Sequence, residues 1–249
     1  MLESHWIVWD RLFLGRGGRA IIESLGPVVP SVLEIAYSLV YLLPLFALAV
    51  LYIYRRREMA DRFLTVVLLS VLFCYAQFPF WPSEPPRVAF SGLDLPSYYT
   101  VFRRFNLWML GRYGIHTSVF PSAHVAGALS TAFGFRLAMP ESKRTYHSLF
   151  VIAALIAIAT VYGRYHYLAD AICGAVIACI VPVLVPAGQV PVSRRQNPPL
   201  EFVPPTNTTL APIHSRLVGA EIAAASPRSG ATVHLHRDLL ITHGGEARR

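Results

Sequence analysis

Two short stretches hold the residues whose types and spacing could do chemistry: V-F-P-S-A-H at 119–124 and Y-G-R-Y-H-Y-L-A-D at 162–170. Each carries a histidine at the edge of a long apolar run. Two histidines can divide a group transfer between them, one attacking and the other moving protons. His166 and Asp170 are four apart in sequence, which on a helix puts them on one face about 5–6 Å apart. A carboxylate there can hold one ring nitrogen and aim the other. Arg87, Arg164 and Ser122 can offer fork-like and hydroxyl donors suited to an anion with its charge spread over several oxygens, such as a phosphate. Ser122 also stands just ahead of a predicted helix, where free backbone N–H groups attract anions.

The elements that must position these residues are apolar. The chain has 249 residues, of which 54% are hydrophobic and 14% charged, with a mean hydropathy of +0.47. Soluble domains usually carry about 25% charged residues, so the composition points to a membrane protein. The formal net charge is +8, but the arginines stand at the ends of apolar runs, as membrane topology places them, and nucleic acid is not implied. Cys74, Cys173 and Cys179 lie within apolar runs, show neither disulfide nor metal-ligand spacing, and read as small buried residues.

Uncharged or nearly uncharged runs cover 35–54, 63–83, 119–136, 148–162 and 171–185, the first of them about the roughly 20 residues that a spanning helix needs. The predicted fold is therefore all-α: a multi-span transmembrane bundle of about five to six membrane helices with interfacial amphipathic helices. Residues 1–28, with Trp6 and Trp9 among arginines, read as an interfacial segment. Residues 29–186 form the membrane domain, and 187–249, rich in Pro, Ser, Thr, Arg and Asn, read as a disordered tail. Between the second and third runs, Tyr98, Val101, Phe102, Phe105, Trp108 and Met109 recur at helical spacing beside Arg103, Arg104 and Arg112. That pattern predicts a helix lying in the interface, with its arginines on lipid headgroups. Glu34 begins a face that continues through Tyr37 and Tyr41. It has two readings, contact with the site's arginines or with headgroups. Asn207-Thr208-Thr209 matches a glycosylation acceptor, but the topology puts it on the cytoplasmic side.

The short basic loops at 55–62 and 136–146 read as cytoplasmic. Loops 84–118 and 163–170 then fall together on the other side, so Arg87, the 121–124 stretch and the 164–170 stretch meet at one depth.

In that order, P-S-A-H followed by R-Y-H-Y-L-A-D resembles the second and third signature motifs of the type 2 phosphatidic acid phosphatase superfamily. F-P-F-W-P-S-E-P-P-R at 78–87 is similar to the first motif of its inositol phosphorylceramide synthase-like branch. The resemblance covers roughly residues 30–186. It implies a lipid phosphatase or phosphotransferase with a lipid phosphate substrate and no metal or other cofactor. His166 would attack phosphorus to form a phosphohistidine, and Asp170 would orient it. His124 would protonate the leaving oxygen and then activate water or an acceptor alcohol. Arg87, Ser122 and the backbone near Ala123 would hold the phosphoryl oxygens. Two positions depart from the family pattern: Phe80 stands where the phosphatase branch has a lysine, and Thr160 where the third motif has an arginine. On a continuous helix Arg164 lies only about 40° around the axis from Thr160, and is expected to bind phosphate in its place. The same basic pocket would also serve a protein that binds or transports lipid phosphates without chemistry, although such a protein has no need of the His–Asp pair.

Overall fold

The computed structural model describes residues 3–115 and 118–185. The predicted tail, 187–249, lies outside them. Among the described residues all the regular structure is helical. The helices are α1 (Glu3–Phe13), α2 (Arg19–Glu23), α3 (Val28–Ser38), α4 (Leu43–Ile53), α5 (Ala60–Gln77), α6 (Pro86–Ala89), α7 (Val101–Tyr113), α8 (Ala123–Ala138), α9 (Lys143–Tyr162) and α10 (Leu168–Leu184).

Helix α8 is central. Eleven of its sixteen residues are buried, and it packs against α5, α9 and α10. Its small residues allow this. A Cβ on Gly134 would meet Phe63 at 3.2 Å, and one on Gly127 would meet Val71 at the same distance, as in helix pairs that pack closely in lipid. The hydroxyls of Ser130 and Thr131 both return to the Gly127 carbonyl, which satisfies them without a partner on another helix. Below the site, Phe63, Phe135, Leu149, Ile156 and Leu51 close the largest apolar core.

Two helical stretches, Arg57–Gln77 and Lys143–Tyr162, are long and apolar enough to cross a membrane. A third counts if Glu3–Glu23 and Val28–Tyr41, bent by 107° at their junction, form one broken span. The predicted run 35–54 is not one straight helix. A 3₁₀ turn over Leu39–Tyr41 interrupts it, and α4 restarts with Pro44 in its first turn, where a missing N–H costs least. Of the three cysteines only Cys74 is buried; Cys173 is half-buried and Cys179 exposed.

Helix α7 forms where periodicity placed it, capped by Thr100, whose hydroxyl accepts from the Arg103 N–H. One of its arginines departs from the expectation. Phe102, Phe105 and Trp108 are exposed, whereas Arg103 and Asn106 are buried. Arg103 is therefore not a headgroup contact. It forms a buried ion pair of 3.0 Å with Glu34, so that carboxylate meets neither headgroups nor the expected site arginines but a third, structural one. The physical reason is that a carboxylate buried on α3 needs a cation and hydrogen bonds around it. Arg103 supplies the first, and Asn106 and Tyr165 donate at 2.7 and 2.6 Å.

Helix α1 packs in a smaller apolar cluster of its own. Ile7 packs with Val119 and Tyr167, and the Trp6 ring stacks on Phe120 at 4.8 Å.

Candidate active site

Backbone hydrogen bonds tie the three motif stretches together. The Arg87 N–H donates to the Arg164 carbonyl (3.2 Å), and the Ser122 N–H donates to the Asp170 carbonyl (3.1 Å). The loop after α9 is held tightly as well: Tyr165 and His166 both donate their N–H to the Thr160 carbonyl. Helices α8 and α10 approach so closely that a Cβ on Gly174 would lie 2.4 Å from the Ser122 carbonyl oxygen. Only glycine fits there.

This frame brings His124, His166 and Asp170 into contact. His166 Nδ1 lies 3.3 Å from Asp170 Oδ2 and 3.0 Å from the Val119 carbonyl. His166 Nε2 lies 3.1 Å from His124 Nδ1. His124 Nε2 lies 3.1 Å from the Tyr41 hydroxyl. The network assigns the protons. A carbonyl only accepts, so His166 Nδ1 carries the hydrogen, and in the neutral ring Nε2 keeps its lone pair. His124 Nδ1–H then donates to it, and the Tyr41 hydroxyl donates to His124 Nε2. Burial, followed by the charge of Arg87, pushes His166 down to about 3, with the Val119 hydrogen bond opposing. His166 is thus neutral at neutral pH, with a lone pair available for attack.

The histidines open on a cavity of about 360 Å³. Tyr37, Tyr41, Arg87, Ala123 and Tyr165 line it around them, and it continues past Val40, Pro44, Val67, Val71 and Gly127. Pockets of this size and mixed lining are typical of small-ligand sites. The Arg87 guanidinium stands 5.7 Å from the Tyr165 ring centroid, as does that of Arg103. Burial pushes Arg87 below the ordinary arginine range, with the nearby Tyr37 and Tyr165 hydroxyls opposing.

Two expected phosphate ligands are placed elsewhere. Arg164 does not line the cavity. Helix α9 ends at Tyr162, and Arg164 adopts a left-handed conformation with φ of +61°. The rotation expected on a continuous helix therefore never occurs. Its side chain is fully buried and forms an ion pair with Asp10 of α1. Ser122 is also fully buried. Its hydroxyl caps α8, accepting from the Val125 N–H at 3.3 Å. Of the positions where the family pattern has cations, Phe80 is exposed, and the buried Thr160 turns its hydroxyl to the Ala157 carbonyl.

Sequence reasoning did not assign Tyr41, Tyr37, Tyr165 or Asp10. The spacing of Glu34, Tyr37 and Tyr41 was a usable signal for the first two. Asp10 had none, because its partner is 154 positions away.

These features define an all-helical membrane protein with a paired-histidine site, and the family model confirms the class. It is the PAP2 superfamily, matched over residues 21–184, and the chain belongs to it. Among solved structures, LpxE of Aquifex aeolicus is similar with a TM-score of 0.51 and 22% identity, over 67% of this chain and 90% of that one. At that identity the likeness is one of fold. No curated protein matches the chain.

Proposed function

We propose that the protein is an integral membrane lipid phosphatase or phosphotransferase that works through a phosphohistidine. Family membership and fold support a membrane lipid phosphatase. The single observation that carries the reading is the ordered contact from Asp170 through His166 to His124 in the wall of a cavity that is polar around the histidines and apolar beyond. A phosphate head fits beside Arg87, and an apolar tail fits past Val67 and Val71.

The steps follow from the proton assignment. A phosphoryl group entering between the rings displaces the His124 N–H from His166 Nε2. The anion beside His124 favours its charged form, the second proton coming from the entering phosphate monoanion or from water, and the Tyr41 oxygen can accept from the second N–H as readily as its hydroxyl donated before. His166 Nε2 attacks phosphorus, the bond to the leaving oxygen breaks, and His124 gives that oxygen its proton. Water or an acceptor alcohol then attacks the phosphohistidine, and His124 takes its proton. Asp170 steadies the charge on His166 during both steps. Arg87 and the first N–H groups of α8 at Ala123 hold phosphoryl oxygens.

The basic loops at 55–62 and 136–146 support a site facing the non-cytoplasmic side. The same count of apolar runs supports about five to six membrane helices, with short ones such as α8 and α10 crossing inside the bundle. The proline-rich F-P-F-W-P-S-E-P-P-R stretch supports the phosphotransferase-like branch, in which an alcohol replaces water.

The experiment is a screen of lipid phosphates for phosphate release and headgroup exchange in detergent, with and without chelator, together with a search for an alkali-stable phosphoenzyme. Turnover that survives chelator, and a phosphoenzyme absent from His166→Ala, are expected. Binding of lipid phosphates without turnover in the wild type would replace the enzyme with a binding or transport protein.

A further inference from the structure

Among the described residues, the cavity lining holds fewer cations than a bound phosphate would use. A phosphoryl group in transfer presents three equatorial oxygens that gather charge. Arg103 is engaged by Glu34 and by the Gly163 carbonyl. Arg164 is engaged by Asp10, and the Ser122 hydroxyl, whose oxygen accepts in the cap of α8, is fully buried away from the cavity lining. Arg87 remains as the guanidinium lining the cavity, and its fork reaches two oxygens at most in a bidentate contact.

The tyrosines beside the histidines differ in what their hydroxyls do. Tyr41 is bonded to His124 and Tyr165 to Glu34. Tyr37 lines the same cavity and is only 3% exposed, yet its hydroxyl has no hydrogen-bond partner among the described residues. A buried hydroxyl without a partner is costly. Its ring is held between two others, stacked on His124 at 5.3 Å and 26° and on Tyr165 at 4.3 Å and 25°. This fixes the direction of the hydroxyl before any ligand arrives.

Resting on the phosphoryl-transfer reading, we infer that Tyr37 is a substrate-binding residue whose hydroxyl donates to a non-bridging phosphoryl oxygen. It is a neutral donor, preorganised by stacking on a cavity-lining ring, of the kind that stabilises charge developing in a transition state. The phosphoryl group is held by one guanidinium, one phenol and the start of α8. Tyr37 also couples binding to acid–base chemistry, because the ring that positions the donor lies against the imidazole that moves the proton.

The test is Tyr37→Phe in the full-length protein in detergent, which removes the oxygen and keeps both stacks. Two readouts are used: kcat/KM on a lipid phosphate found active for the wild type, and affinity for orthovanadate, a phosphate mimic, by titration calorimetry. A melting temperature within a few degrees of wild type, with both kcat/KM and vanadate affinity lower by about tenfold or more, is expected for a hydrogen bond to a charged group. Wild-type vanadate affinity and turnover in Tyr37→Phe would overturn the inference and leave the enzyme reading standing. A wild-type protein that neither turns over lipid phosphates nor binds vanadate would remove both.

Discussion

Asp10 and Arg164 form an ion pair with neither side chain exposed, joining the first helix to the loop that carries His166. The second Asp10 oxygen accepts from the Leu168 N–H at 2.7 Å, the first N–H of α10. One carboxylate thus neutralises the Arg164 guanidinium and caps the helix that bears Asp170. The N-terminal segment is part of the site's support, which its tryptophan and arginine content did not indicate.

Asp10→Ala leaves the Arg164 charge buried without its partner. A loss of about 3–5 kcal/mol is expected, read as a lower melting temperature in detergent. Replacing both residues with apolar ones, Asp10→Leu with Arg164→Met, should recover most of this. The missing cap at Leu168 should remain as a deficit of about 1 kcal/mol. A double variant as unstable as the single one would show that the pair itself is not the source.

Gly174→Ala places a methyl 2.4 Å from the Ser122 carbonyl. That atom is backbone and cannot rotate away, so α10 must move from α8. Overpacking of this kind costs about 1–3 kcal/mol. The same movement separates His166 from His124, so activity should fall by more than stability does. Gly127→Ala, which meets only the Val71 side chain at 3.2 Å, should be milder on both measures.

His166→Ala should abolish turnover together with the phosphoenzyme. His124→Ala should lower turnover of lipid phosphates by about 10²–10⁴. With an aryl phosphate, whose leaving group needs no proton, the phosphorylation step of His124→Ala should be much less impaired in a rapid-quench measurement. An equal loss on both substrates would remove the assignment of His124 as the acid.

His166 makes stability depend on pH in a stated direction. Its folded value lies near 3 against 6.5 for the ordinary residue, so between those values the unfolded chain binds more protons. The His166 contribution to stability then rises with pH through that window, is fully present above about 6.5, and is lost as pH falls toward 3. Thermal melts over this range should show a shallower acid slope in His166→Gln than in the wild type.

The chemistry-bearing residues were legible in sequence because they are local patterns. His166 and Asp170 sit four apart at a helix start, P-S-A-H opens a helix, and apolar runs bounded by arginines mark the bundle. Each depends on residues within a turn or two of one another, although His166 stands ahead of the Tyr167 cap of α10, so the turn before the helix and not a shared helix face brings it to Asp170. The class of the protein followed from those patterns and their order.

What only the tertiary structure decided are the partners of buried charge. Glu34 took Arg103 and Asp10 took Arg164, across 69 and 154 positions. Such choices depend on which charges end up together away from water, where an unpaired one is too costly to keep. Arg164 was drawn out of the expected phosphate site by this rule, helped by a left-handed turn that no helical extrapolation contains. Tyr37 and Tyr41 also reached the histidines through tertiary packing: their shared face was visible in sequence, but what it faced depended on how α3 packs beside α7 and α9 and the following 3₁₀ turn beside α8.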